Sequence, residues 1–247
     1  MSELYWLKRP IAHRGLHDTE RGICENSVSA VKAAMRKGLA VEVDIQRAGG
    51  DMPVVFHDAT LDRLTHETGP VAARDIESLR ALSLKHGGDK ILSLPDLLEI
   101  VSDAVPLLLD VKTNGSGHGT FEANIANILA GYHGPVAVMS FDPYSVSAFR
   151  EHAPALPRGL VSCRFNDTAS KTHLSMTQRF AMRHLLTSVF ARPHFVAYDI
   201  RALPAVAPLL AKFVAGLPLL AWTVRTEAEL DRALRYADAP IFEEIVP

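Results

Sequence analysis

Cysteine is nearly absent from this chain. Its 247 residues hold two, Cys24 and Cys163, and no CxxC pair. That is too few for a disulfide framework, so both read as small, partly buried thiols. No GxGxxG or GxxxxGK[ST] stretch occurs, which removes the usual phosphate-loop fingerprints of an open nucleotide-binding sheet. No HxH occurs either, which argues against a binuclear zinc hydrolase. No apolar run approaches the roughly 18 residues of a membrane helix. The opening MSELYWLKRP lacks a basic stretch followed by an apolar one. A soluble, cytoplasmic protein is expected. An excess of positive charge is missing too: 26 Lys and Arg against 28 Asp and Glu leave a net charge of −2. This argues against broad binding to nucleic acid or an anionic membrane, while leaving room for a local basic pocket for one phosphate.

What is present is apolar residue in quantity, 48% of the chain, ample for a large core. The length suits one domain over residues 1–247. Short apolar runs alternate with helical patterns. Strands are expected at Ile11-Ala12, 39–45, 106–111, 136–141, 158–162, 195–198, 219–224 and Ile241-Phe242. Between them lie helices with recognisable starts. Asn26 is expected to cap the first, and Pro95 and Pro143 stand in first turns. Ser175 with Gln178 and Thr226 with Glu229 have capping-box spacing. Met182, Leu185, Leu186 and Val189 supply one apolar stripe, and Val206, Leu209, Leu210 and Phe213 another. Eight strands alternating with helices point to an α/β protein, a (β/α)8 TIM barrel. A doubly wound open sheet is the alternative. The polar stretch 59–93 is long for a connection and reads as a small insertion after the second strand.

Residues 41–58, VEVDIQRAGGDMPVVFHD, are the most informative. Val41, Val43 and Ile45 share one strand face; Glu42 and Asp44 share the other. Paired acids on one face repel unless a cation or solvent lies beside them. A turn at Gly49-Gly50-Asp51 and a second apolar run then deliver His57-Asp58. In such barrels the chemistry sits at the C-terminal strand ends, where His13, Arg14, Glu42, Asp44, His57, Asp110, Lys112 and Trp222 all fall. Singly each has a plain explanation. Asp110 and Lys112 could pair with each other, and Trp222 could be core. Glu243-Glu244 reads best as a solvated rim. The other nine histidines, among them His118, His173 and His184, are assigned to solvent or local packing. Several charges at the same end of consecutive strands are harder to explain as structure, since burial of charge is costly unless it is paired or metal-bound.

IAHRG, Glu25-Asn26, EVD at 42–44, VVFHDATLDRLT at 54–65, LSLPDLLEIV, LLLDVK, Ser140-Phe141 and WTV at 222–224 together resemble the glycerophosphodiester phosphodiesterase family. The resemblance covers most of the chain and is strongest over 11–65. It implies a metal-dependent phosphodiesterase on a (β/α)8 barrel, converting glycerophosphodiesters to sn-glycerol 3-phosphate and an alcohol. His13 and His57 would be the acid–base pair. Arg14, Lys112 and Trp222 would contact substrate. Glu42, Asp44 and Asp110 would hold one divalent ion, Mg2+ or Ca2+. The partner implied is a small glycerophosphodiester, with no nucleic acid and no membrane; a homo-oligomer is left open. The chain departs from the family pattern in three places. Asp110 stands where the family usually has Glu, Cys24 where it favours Pro, and Glu243-Glu244 where it commonly has Thr-Asp, so no role is carried to that pair. The alternatives are a sphingomyelinase D-like phospholipase on the same barrel, or a phosphate-ligand sensor without turnover. The first expects secretion, disulfides and a membrane-facing apolar rim; the second expects loss of a histidine or of the ExD pair.

Overall fold

Strand β1 (Ile11–Ala12) lies beside both ends of the strand order. It pairs in parallel with β10 (Ala239–Phe242) and with β2 (Ala40–Ala48). Between them run β9 (Leu219–Val224), β8 (Phe195–Asp199), β7 (Arg158–Ser162), β6 (Val136–Ser140) and β5 (Leu107–Val111), which pairs with β2. Eight parallel strands therefore close into a barrel, in this computed structural model, which describes residues 2–113 and 119–247. His118 lies outside the described residues. The open-sheet alternative is excluded by the β1–β2 pairing.

Strand parity sorts the side chains. On β5, Leu107, Leu109 and Val111 pack outward into the shell between sheet and helices, with Val41, Val43 and Ile45 of β2. Leu108 packs inward with Ala40, Ala137, Val161, Phe195 and Leu220. The inner file of β2 thus runs Ala40, Glu42, Asp44: apolar at the bottom, acidic at the top. The bottom is stoppered by the N-terminal turn of 3-10 helix, which buries Trp6 and Leu7 against this inner cluster.

The stretch after the second barrel strand is more ordered than its polar sequence suggests. Strand β3 (Met52–Val55) turns back antiparallel on β2, with Ile45 opposite Val55, and β4 (Leu92–Ser93) pairs with β3. Val54, Phe56, Leu61, Leu64, Val71 and Leu79 form a core of their own there. These residues follow no fixed period, which is why the sequence concealed the cluster.

Three local expectations change. Asn26 is not the first helix's cap; Ser27 is, its hydroxyl accepting from the Ala30 N–H at 3.2 Å. The stripe begun at Ser175 breaks. Helix Met176–Arg183 ends, Leu185 takes a positive φ of 56°, and Leu186 and Val189 turn out to solvent. Helix Val206–Phe213 forms, but Val206, Leu210 and Phe213 point away from the core.

Candidate active site

The first strand ends in His13-Arg14-Gly15. The turn is tight. Arg14 and Gly15 have φ of 54° and 77°, and a Cβ at Gly15 would stand 2.8 Å from Ala30. Only glycine fits that approach. The turn is pinned to β2: the Arg14 N–H donates to Glu42 Oε2 at 2.8 Å, and the Gly15 N–H to the Glu42 carbonyl at 3.0 Å. Asn26, also at positive φ, does a second job. Its amide donates to Asp44 Oδ2 at 2.8 Å, while its carbonyl oxygen accepts from the Asp44 N–H at 3.1 Å.

Parallel register sets Asp44 directly beside Asp110. Glu42, Asp44 and Asp110 are all buried, and one carboxylate oxygen from each lies within 4.8 Å of the others. Lys112 reaches back to this group, donating to Asp110 Oδ2 and meeting Asp44 Oδ1 at 2.8 Å. The plain reading, Asp110 paired with Lys112, is thus realised, yet incomplete. Asp110 Oδ1 is buried with no hydrogen-bond partner among the described residues, a costly state that a cation would relieve. Burial, followed by repulsion from Asp44 and Asp110, pushes the Glu42 carboxyl well above the ordinary range. Asp44 is also buried, but Lys112 and Arg14 outweigh that and hold it below. The group is short of positive charge, and its donors are all oxygen. These three residues fit a hard metal ion.

His57 arrives by the β2–β3 hairpin, the Phe56 N–H donating to the Asp44 carbonyl at 3.1 Å. Its Nδ1 meets Asp58 Oδ1 at 2.6 Å. Asp58 is held in turn by Arg63, whose guanidinium grips Asp58 and Glu25 with contacts of 2.6–2.9 Å. Hydrogen bonds from Arg63, opposed by burial, put the Asp58 carboxyl at about 2. Glu25 accepts from Arg14 at 2.7 Å, and Arg14 Nε lies 3.1 Å from Asp44. One chain of ion pairs therefore runs from the His57 loop to the acidic group.

On the opposite side His13 meets Glu243, through Nδ1. A carboxylate only accepts, so Nδ1 carries the proton and Nε2 is left for chemistry; it lies 4.0 Å from Glu42 Oε2. The Glu243 side chain also takes Arg225 Nε at 2.6 Å and His17 Nε2 at 3.4 Å. Burial lowers the pKa of His13, with Glu243 opposing. Burial alone would raise Glu243, but its bonds to His13 and His17 hold it far below the carboxylate range.

His13, Arg14, Glu42, His57, Asp110, Lys112 and Trp222 line one cavity of about 280 Å³. Asp44 sits behind Arg14 and Lys112. Phe141 packs edge-on against Trp222, with 5.2 Å between ring centres, and the buried indole N–H has no partner among the described residues. All eight residues singled out from the sequence are thus brought to one place. One assignment needs correction. Glu243 is no solvated rim but part of the site, whereas its neighbour Glu244 is exposed. His17, of the histidines assigned to solvent or local packing, packs against Glu243. Their signal was faint: His17 follows His13 by one helical turn's spacing, and Glu243 ends a barrel strand.

The description "Glycerophosphoryl diester phosphodiesterase family" matches residues 13–243. The chain belongs to that family. Among its curated relatives, a glycerophosphodiester phosphodiesterase of Caldanaerobacter subterraneus subsp. tengcongensis is 29% identical over 61% of this chain and 65% of its own length. Glycerophosphodiester phosphodiesterase 1 of Homo sapiens is 33% identical over 46% of this chain and 36% of its own. This chain therefore spans just under two thirds of the first relative and about a third of the second. Two solved structures share the fold. An Oleispira antarctica phosphodiesterase, in complex with the product sn-glycerol-3-phosphate, has a TM-score of 0.74 at 21% identity, covering 95% of this chain and 92% of that one. A glycerophosphodiester phosphodiesterase from Agrobacterium tumefaciens has 0.70 at 18%, covering 95% of each.

Proposed function

We propose that the protein hydrolyses glycerophosphodiesters to sn-glycerol 3-phosphate and a free alcohol. The observation that carries this reading is the shared cavity: two imidazoles, each tied at Nδ1 to a carboxylate, beside a buried three-acid group and two cations. Family membership and the product bound to the Oleispira antarctica relative support it.

The chemistry follows from what a phosphodiester needs. The substrate is an anion whose charge redistributes in the transition state, and fixed cations in a dry site stabilise that redistribution. Arg14 and Lys112 supply two of them. Glu42, Asp44 and Asp110 would hold one divalent ion, Mg2+ or Ca2+, which supplies further charge stabilisation to the phosphoryl oxygens when bound. One imidazole takes a proton from the nucleophile, either water itself or the neighbouring glycerol hydroxyl with water then opening the cyclic phosphate, and the other gives a proton to the leaving alkoxide. Histidine suits both tasks because its ordinary pKa, about 6.5, lies close to working pH. Asp58 and Glu243 fix the tautomer of each ring, leaving both Nε2 atoms for proton transfer. Phe141 and Trp222 wall the cavity, and Trp222 would meet the substrate there. Two free cysteines accord with a reducing, cytoplasmic setting.

The test is product release from a panel of glycerophosphodiesters with Mg2+, Ca2+ and Mn2+ compared. His13→Ala and His57→Ala should each lose roughly 100- to 10,000-fold in kcat with the circular dichroism spectrum unchanged. Near wild-type turnover in either variant would remove that ring from the mechanism. Both thiols are free, which counts against the sphingomyelinase D-like reading.

A further inference from the structure

The net charge of −2 conceals an uneven molecule. Residues 168–226 contain seven cations (Lys171, Arg179, Arg183, Arg192, Arg201, Lys212 and Arg225) and one acid, Asp199. That stretch carries +6, so the rest of the chain carries −8. The same stretch holds most of the large apolar side chains left in solvent. Met176 is 79% exposed, Val189 80%, Val206 74% and Phe213 71%.

Part of this set meets on one face, built by two neighbouring helices. Helix Met176–Arg183 presents Met176 and Phe180 one turn apart, with Arg179 and Arg183 one turn apart beside them. Helix Val206–Phe213 turns Val206, Leu210 and Phe213 outward at i, i+4 and i+7, the reverse of a helix packed on a barrel. Phe180, Leu186, Val206, Leu210 and Val214 meet around a shallow depression of about 550 Å³ between the two helices. Among the described residues no carboxylate lies within ion-pair distance of Lys171, Arg179, Arg183 or Arg192.

We propose that this basic, apolar face docks the protein peripherally on an anionic phospholipid surface. Cationic heads at the level of the lipid phosphates, with Met, Phe, Leu and Val ends entering the acyl boundary, are the composition of an interfacial helix. Charge decides against the obvious competitor. A second copy meeting this face about a two-fold axis would bring Arg179 and Arg183, neither with a carboxylate partner among the described residues, up to their own copies. The expectation of no membrane contact came from a chain-wide average of two unlike regions. Arg201 and Arg225 belong to the same stretch of sequence but line the catalytic cavity, where they pair with Asp199 and Glu243.

The experiment uses the full-length protein in co-sedimentation with vesicles of phosphatidylcholine alone or with added phosphatidylglycerol, at low and high salt. The wild type should pellet only with the anionic vesicles and be released by salt. Each Lys or Arg near such a surface is worth about 1 kcal/mol, roughly fivefold. Arg179→Glu/Arg183→Glu should therefore weaken binding by at least about 25-fold. Phe180→Ser/Phe213→Ser should weaken it at every salt concentration. Both double variants should turn over a soluble diester at the wild-type rate. The proposal is overturned if the wild type ignores anionic vesicles at low salt, or if both variants still pellet. It is overturned in favour of a second copy if sedimentation velocity shows a dimer that Phe180→Ser/Phe213→Ser dissociates. It is overturned in favour of an acidic protein if poly-glutamate binds this face and the vesicles do not.

Discussion

Glu243→Gln isolates the least expected feature of the site. The carboxylate sits between His13, His17 and Arg225. A glutamine has nearly the same shape but removes the charge and puts an NH2 donor in place of one oxygen. Two losses follow. A charge-assisted bond to an imidazole is worth about 1.5–3 kcal/mol, which at about 1.4 kcal/mol per tenfold is roughly 10- to 150-fold in kcat. In addition, the amide can turn its NH2 toward His13 Nδ1 and stabilise the other tautomer, placing the proton on Nε2. In a Ser-His-Asp triad the same acid-to-amide change, through the same inversion, costs about 10,000-fold, which bounds the effect from above. Substrate contacts are untouched, so KM should move little. The pH profile gives a second readout. Glu243 raises the pKa of His13 against the burial that lowers it. Without the carboxylate the His13 pKa falls further, and the limb of kcat/KM that reports His13 should move to lower pH. Steady-state release of glycerol phosphate by the metal-loaded enzyme, measured across pH, tests both. A variant within threefold of wild type, with an unmoved limb, would show that Glu243 does not orient His13.

Chelation should abolish turnover and lower the melting temperature, both restored by the preferred ion; at 100 times Kd a bound ion contributes about 2.7 kcal/mol, or about 5–10 °C for a chain of this size. Activity surviving exhaustive EDTA would remove the metal from the account. Asp110→Ala should lose metal affinity by calorimetry while Asp110→Glu keeps much of it, and equal affinity in all three proteins would demote Asp110 to its pairing with Lys112. Asn26→Ala strips Asp44 of two hydrogen bonds in a buried place, so it should cost about 1–3 kcal/mol in urea unfolding; a shift below a few tenths would refute the bracing role.

The alternation of short apolar runs with capped helical segments determined the barrel. It is a property of neighbours in the chain, and so is strand parity. Because parity is local, Glu42, Asp44, Asp110 and Lys112 could be assigned to one inner face, and His13 and His57 to the ends of adjacent segments. The three-dimensional closure decided the rest. Glu243 reaches His13 across 230 residues of sequence, solely because β10 is the strand that seals against β1. Arg63 joins Asp58 to Glu25 across a loop whose apolar residues have no period to betray their cluster. The outward faces of Met176–Arg183 and Val206–Phe213 were equally hidden. An amphipathic pattern tells that a helix has an apolar stripe, but which way the stripe looks depends on how the helix is seated. Periodicity is encoded by adjacent residues, whereas partners and exposure are set by contacts between residues the chain holds far apart.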